Sequence, residues 1–360
     1  MFNSFPDMSD NSFALFLHVI EKYPKKQTIW LVKDFEPQKY HSLIQNYTGK
    51  KNYSIKNRDS LIGIYYYLRA KYVFFTHGLL NGSNISKQHC VVNLWHGMPL
   101  KTIGLLANDT VTQKSTFAIA TSQSYKTVIA NAFGINQNNV LISGQPRNDL
   151  LFTKNNCLQQ LNIDTGNKII LWTPTYRQSI VGDIRCDGTY SDNLPVIQIS
   201  ELKSLDIYLN SISSHLILKL HPMDILNNKN FFKYNNITIV KKGELEKVNC
   251  QLNSLLSNVD ILLTDFSSIY VDFLLLDRPI GFVLEDFDSY SNSRGFVFDS
   301  PLEYMPGEPI SSLEDLKKFL HDVVILKKDI FKEKRLEVNQ QFNIIEPSYS
   351  QKILHLINFE

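Results

Sequence analysis

No stretch of this 360-residue sequence approaches the ~20 consecutive apolar residues that span a bilayer as a helix. The first residues carry no basic segment followed by an apolar core, so a secretory leader is not expected. No segment collapses into low complexity, which argues against long disorder. Cysteine is scarce: Cys90, Cys157, Cys186 and Cys250 lie far apart, without metal-ligand or redox spacing, and reduced thiols in a cytoplasmic protein are expected. An excess of one charge is missing too. The net charge is +2, with neither the basic domain nor the clustered stripe of a nucleic-acid binder, so no nucleic-acid partner is expected. One modest basic run, Lys327, Lys328, Lys332, Lys334 and Arg335, reads either as a solvated helix face or as a contact with an anionic membrane or acceptor. Also absent are a Walker loop, a G-x-G-x-x-G fingerprint, a nucleophile elbow and a His-Glu-x-x-His metal site. No acidic cluster calls for a divalent metal, and no cofactor is expected. What remains is acid–base chemistry by histidine, with phosphate held by helix ends and hydroxyls.

The composition, 43% hydrophobic and 20% charged, is that of a globular protein, and the length favours two domains. Short apolar runs alternate with longer amphipathic ones, the pattern of a parallel α/β architecture. Strands are expected at Thr28–Val32, Tyr72–Thr76, Cys90–Leu94, Phe117–Ala120 and Val140–Ser143, with a helix over Ser122–Ala132. A second series runs through Lys168–Trp172, Leu216–Leu220, Thr238–Val240, Asp260–Thr264 and Ile280–Leu284, and the tail from Ser312 is helical in pattern. The expected division is 1–160 and 161–345 as two α/β domains, with 346–360 a C-terminal helix able to return to the first domain. In open parallel sheets ligands sit beyond the carboxyl ends of the strands, so polar residues just after each strand are the candidates.

Trp95-His96-Gly97-Met98-Pro99-Leu100-Lys101 follows one strand. His96 suits proton removal near neutrality, and Gly97 permits close approach of a substrate or a backbone. Equally, His96 reads as a hydrogen-bonded histidine in a turn. Leu218-Lys219-Leu220-His221-Pro222 ends another strand; His221 could donate to a phosphate oxygen, protonate a leaving group, or simply face solvent. In Asp260 to Asp272 a buried strand ends at Thr264 and a helix starts near Ser267 or Ser268. Backbone N–H groups and hydroxyls there suit an anion, although serine is also a common helix cap. Thr173-Pro174-Thr175-Tyr176-Arg177 and Gly144-Gln145-Pro146-Arg147-Asn148-Asp149 each place an arginine after a strand, either for phosphate or as part of a stiffened turn.

In order, these runs resemble the CDP-glycerol glycerophosphotransferases of teichoic-acid synthesis, with their ribitol-phosphate and capsule relatives. Trp95 to Lys101 is similar to the family's W-H-G-T-P-L-K, with Met98 for Thr. Gly144 to Asp149 resembles G-x-P-R-N-D, Thr173 to Arg177 resembles A-P-T-W-R, and Asp260 to Ile280 resembles D-I-L-I-T-D-Y-S-S-x-x-x-D-F…K-R-P-I. Met305-Pro306-Gly307-Glu308-Pro309-Ile310 echoes a P-G-P-x segment. The likeness spans nearly the whole chain. It implies a GT-B fold: two Rossmann-like domains facing across a cleft, the acceptor on the first, the CDP donor on the second. It further implies alditol-phosphate transfer from CDP-glycerol or CDP-ribitol to a hydroxyl of a lipid-linked or oligosaccharide acceptor, with CMP released. By that resemblance His96 is the base and His221 contacts the donor diphosphate. Arg177, Thr264, Asp265, Ser267 and Ser268 serve the donor, and Gly97, Lys101, Arg147 and Asn148 the acceptor or the cleft. The expected place of work is cytoplasmic, peripheral at the inner face of the plasma membrane. A nucleotide-sugar glycosyltransferase of the same fold and an inactive binding subunit of a capsule-assembly complex are the alternatives.

Overall fold

A computed structural model describes residues 1–78, 88–107, 112, 114–175, 193–285, 287–288, 291 and 295–359. Seven strands form the first sheet: β1 Phe2–Asn3, β2 Thr28–Val32, β3 Tyr53–Asn57, β4 Tyr72–Phe75, β5 Cys90–Asn93, β6 Phe117–Ala120 and β7 Val140–Ile142. Their order is β3-β2-β1-β4-β5-β6-β7, and every pairing is parallel. Six more form the second: β8 Lys168–Thr173, β9 Ser214–Lys219, β10 Ile237–Val240, β11 Ile261–Thr264, β12 Ile280–Val283 and β13 Glu308–Ile310, in the order β10-β9-β8-β11-β12-β13, again all parallel. Both are doubly wound Rossmann-like sheets, and in each the order reverses beside the first strand: between β1 and β4, and between β8 and β11.

Strands that are apolar on both faces need helices on both faces. In the first half Phe2, Phe13, Phe16, Trp30 and Phe74 pack as buried aromatic rings between the sheet and helix Asp10–Lys22. In the second, Trp172, Leu205, Leu209 and Leu218 do the same for helix Leu202–Ser211. A third apolar cluster is shared: Met98, Leu100 and Tyr125 of the first half join Phe266, Tyr270 and Phe273 of the second. Met98, the departure from the family's threonine, is wholly buried there.

After the second sheet, helix Lys332–Phe342 buries Val338 and Phe342 in that shared cluster. Thr121 Oγ1 donates to Phe342 O, and Ile344 N donates back to Thr121 O at 2.9 Å. The chain then lays helix Tyr349–Leu356 on the first half, with Ile353 and Leu354 among its core residues. Asp149 fixes the start of that helix, accepting from Tyr349 N at 2.7 Å and Ser350 N at 3.0 Å.

Two expectations are corrected. Cys157 and Cys250 are not reduced thiols: the fold brings their Cα atoms to 5.6 Å and a disulfide joins them. The basic run is not one solvated face either. Arg335 is 1% exposed, held by Asp277 at 3.1 Å and Asp329 at 2.7 Å, because one side of its helix is packed inward.

Candidate active site

The loops leaving the carboxyl ends of the two sheets meet. The loop after β5 carries Trp95 to Lys101. Leu94 N donates to Phe75 O at 2.8 Å, extending the ladder, after which Trp95 takes a left-handed conformation at φ 50° and turns the chain toward the second half. Gly97, at φ 137°, presses against Ser268: a Cβ there would overlap Ser268 Oγ and lie 3.0 Å from Arg147 Nη2. Farther on, the loop pairs with residues 295–297 of the second half. Thr102 N donates to Gly295 O at 3.2 Å and Val297 N to Leu100 O at 2.9 Å, bracketing an antiparallel bridge between Lys101 and Phe296.

His96 is half-buried in this seam. Its ring packs on Trp95, centroids 3.8 Å apart, and lies flat on His77, centroids 4.0 Å apart. The Thr76 carbonyl accepts from the imidazole, while Nδ1 is buried without a hydrogen-bond partner. Burial, then the neighbouring His77 and Arg147, hold its pKa well below the ordinary 6.5, so the ring is neutral. A neutral imidazole with one nitrogen donating and the other unspent has the electronic form of a general base.

Arg147 and Asn148 brace the two halves together. Arg147 is buried and pairs with Asp10 of the first half (3.0 Å) and Asp272 of the second (2.7 Å), while also donating to the His96 carbonyl at 2.9 Å. Asn148 Oδ1 accepts from Asn253 across the same seam at 3.0 Å. Asn11 completes the brace, donating to the carbonyls of Leu94 and Trp95 (3.0 and 3.1 Å) and accepting from Arg147 N at 3.1 Å.

On the second half, Thr264 and Asp265 lie inside. Thr264 Oγ1 donates to Thr173 O at 3.3 Å, and Asp265 Oδ2 accepts from both N and Oγ1 of Thr175 at 2.8 Å, locking the two strand ends that flank the order reversal. Ser267 and Ser268 are only partly buried, and Ser268 makes no capping bond to the short helix Ile269–Phe273 that follows it. His221 stands after β9, its Nδ1 accepting from Met223 N at 3.2 Å. Burial, and then the charges of Lys219 and Lys101, lower its pKa to about 3. Lys101 of the first half thus approaches His221 of the second. Arg177 lies outside the described residues.

The structure therefore gathers His96, Gly97, Lys101, His221 and Ser268 along one seam. Sequence reasoning passed over three residues of the same place: His77, Asp10 and Asn11. His77 had a usable signal, since it follows β4, on one side of the order reversal, just as His96 follows β5.

Residues 1–358 match the family described as CDP-Glycerol:Poly(glycerophosphate) glycerophosphotransferase. The chain belongs to that family. The teichoic acid ribitol-phosphate polymerase TarL of Staphylococcus aureus is 26% identical over 69% of this chain, which spans 45% of that protein's length. A teichoic acid poly(glycerol phosphate) polymerase of Bacillus spizizenii is 28% identical over 96% of this chain and 87% of its own length. Among solved structures, the wall teichoic acid polymerase TagF superposes with a TM-score of 0.78 at 23% identity, covering 99% of this chain and 87% of that one, and so shares the two-sheet fold. Among the described residues no helix is long and apolar enough to cross a membrane.

Proposed function

We propose that the chain transfers glycerol phosphate, or a related alditol phosphate such as ribitol phosphate, from its CDP-activated form to a hydroxyl of a teichoic-acid or capsule-type acceptor. The reading rests on family membership together with one observation: the neutral His96, with Nδ1 unspent, stands where the loop after β5 presses on Ser268 of the loop after β11. In a GT-B arrangement the seam between the halves is the cleft, the acceptor approaching from the first half and the donor lying on the second.

The acceptor hydroxyl gives its proton to His96 as its oxygen attacks the phosphorus that carries the alditol. The new O–P bond forms while the O–P bond to the CMP moiety breaks, and CMP leaves with the bonding pair. Charge concentrates on phosphoryl oxygens, so placed donors matter more than covalent intermediates. Ser267 and Ser268 offer hydroxyls, Lys101 and Lys219 offer charge, and His221 offers an imidazole to the diphosphate. Arg177 is assigned to the donor on the family motif alone. Thr264 and Asp265 position the serine loop from behind, and Arg147 with Asn148 holds the two loops at their working distance. A general base of this kind contributes about 10²–10⁴-fold.

The test is direct. Purified chain, CDP-glycerol or CDP-ribitol, and a lipid-linked or oligosaccharide acceptor should yield CMP and a phosphodiester. His96→Ala should remove turnover while leaving donor affinity near normal. Release of a nucleoside diphosphate with a glycosidic product would replace this reading with sugar transfer.

A further inference from the structure

Four strands that lie side by side in the first sheet, β2, β1, β4 and β5, each place aromatic rings within three residues of their carboxyl ends. In that order the rings are Phe35, Phe5, His77, and Trp95 with His96. Three of them are already joined, since His96 packs on His77 at 4.0 Å and on Trp95 at 3.8 Å. Phe5 extends the row, its ring at 73° to that of His77 with centroids 5.7 Å apart. The outer members meet water: Phe5 is 63% exposed, Phe35 is 51% exposed and His77 reaches the surface. A single exposed phenylalanine needs no explanation, but a row of rings that crosses the order reversal and ends on His96 does.

Phe5 is not exposed because its segment is loose. Ser4 Oγ donates to Pro6 O at 2.6 Å and accepts from Ser9 N at 3.1 Å, while Phe5 N donates to Thr76 Oγ1 at 3.4 Å. Asp7 Oδ2 accepts from Lys33 N at 2.8 Å and Asp34 N at 3.0 Å, tying the Phe5 loop to the Phe35 loop. Met8 and Asp10 in the same turn are held at φ 54° and 62°, backbone strain of the kind that collects at binding sites. The charge around the rings is acidic. Residues 4–10 and 33–36 carry Asp7, Asp10, Asp34 and Glu36 against Lys33, and the nearby cations Lys39 and Arg147 are paired with Glu36 (3.7 Å) and Asp10 (3.0 Å).

We propose that Phe5 and His77, continued by Phe35, form a platform for the pyranose rings of a neutral glycan, so that the acceptor is a sugar hydroxyl rather than the end of an alditol-phosphate polymer. The inference rests on the reading of His96 as the base and of the first half as the acceptor side. A pyranose shows an apolar C–H face and a rim of hydroxyls. The face stacks on an aromatic ring, and the hydroxyls donate to carboxylates at its edge. A phosphodiester polymer would meet the same carboxylates as like charges, and would find rings where it needs cations. Four neighbouring strands span roughly 14 Å, room for more than one sugar ring.

The experiment is saturation-transfer NMR on the full chain with disaccharides of glucose, galactose and N-acetylglucosamine, and with an oligomer of glycerol phosphate as competitor. It reads binding without a donor; a failure to release CMP with every acceptor would overturn the reaction itself, which is a separate result. At least one disaccharide should receive saturation, strongest at the C–H protons of one ring face, and the oligomer should not displace it. Phe5→Ala should weaken that binding by about tenfold, and Phe5→Tyr, which keeps the ring, should retain it. Phe232→Ala removes an 84% exposed ring from the second half and should change nothing. Unchanged melting temperatures would show that the exposed substitutions leave the fold intact. Saturation of none of the three disaccharides would overturn the proposal. So would binding that survives Phe5→Ala at wild-type strength, or that the glycerol-phosphate oligomer displaces.

Discussion

The imidazole of His77 lies parallel to that of His96, with ring centroids 4.0 Å apart and planes 7° apart. Two stacked imidazoles at that distance cannot both carry a proton without strong repulsion. Each has a pKa below the ordinary 6.5, burial being the largest cause in both cases. Burial first, and then this neighbour, keep His96 neutral, the form required of the base proposed above.

If His96 is the base, His77 acts as a positioning residue, and its removal has a signature that a packing defect lacks. In His77→Asn the repulsion and part of the burial disappear, so the His96 pKa rises. The acid limb of kcat/KM should move to higher pH by about one unit, with the donor KM unchanged. A uniform fall in rate with an unmoved limb would reduce His77 to packing.

Gly97→Ala tests the approach of the two halves. The added methyl must displace Ser268 or Arg147, and φ 137° is a backbone conformation that alanine rarely adopts. The strain should cost about 1–3 kcal/mol in a melting experiment and lower kcat by more than that destabilisation alone explains. A variant with normal stability and turnover would show that the seam need not be this tight.

Much of this was legible beforehand because it is local. Lys168–Thr173 and Phe117–Ala120 are short apolar runs bounded by polar residues, and the strand-end rule pointed to His96 and His221 at once. Three strands gave no local signal. β1 has only two residues, β3 (Tyr-Ser-Ile-Lys-Asn) is an edge strand half open to solvent, and β13 starts directly after Pro306-Gly307. Partners remote in the chain were equally hidden. Arg147 is plainly an arginine after a strand, but nothing near it says that Asp10 and Asp272 neutralise it. Cys157 and Cys250, 93 residues apart, look unrelated until the short helices Cys157–Gln160 and Leu252–Leu256 are packed together.

The Arg147 brace should dominate stability. Removing the guanidinium leaves two carboxylates facing each other across the seam, one of them in Asp272, which is 1% exposed. Breaking a buried pair from one side costs about 3–5 kcal/mol, so Arg147→Ala should melt well below wild type. Arg147→Met with Asp272→Asn should recover much of the loss, since the stranded charge is gone. Equal melting temperatures for the single and double variants would deny the coupling.

The disulfide predicts a labelling pattern. Cys157 and Cys250 should resist alkylation in the unreduced, denatured protein and react after reduction, whereas Cys90 reacts in both. Closing a loop of this length favours the folded state by roughly 4–5 kcal/mol on the chain-entropy account, so reduction should lower the melting temperature. Full labelling before reduction would show that the pair is open.

His221 offers a test of donor placement that needs no turnover. In the free protein its pKa is lowered from 6.5 to about 3, by burial and then by Lys219 and Lys101. An unfolded chain takes up a proton at this histidine as pH falls through 6.5 while the folded one does not, so the group contributes a loss of stability between pH 6.5 and 3. A bound diphosphate reverses the local field: its negative charge offsets the two lysines and accepts a hydrogen bond, which favours imidazolium. Binding of CDP-glycerol or CDP-ribitol near pH 6 should therefore take up a proton. Titration calorimetry in buffers of different ionisation enthalpy reads that uptake as a slope, and His221→Gln should flatten it even where binding survives. A flat line in the wild type would place the diphosphate away from His221 and leave the serine loop to hold it without the imidazole.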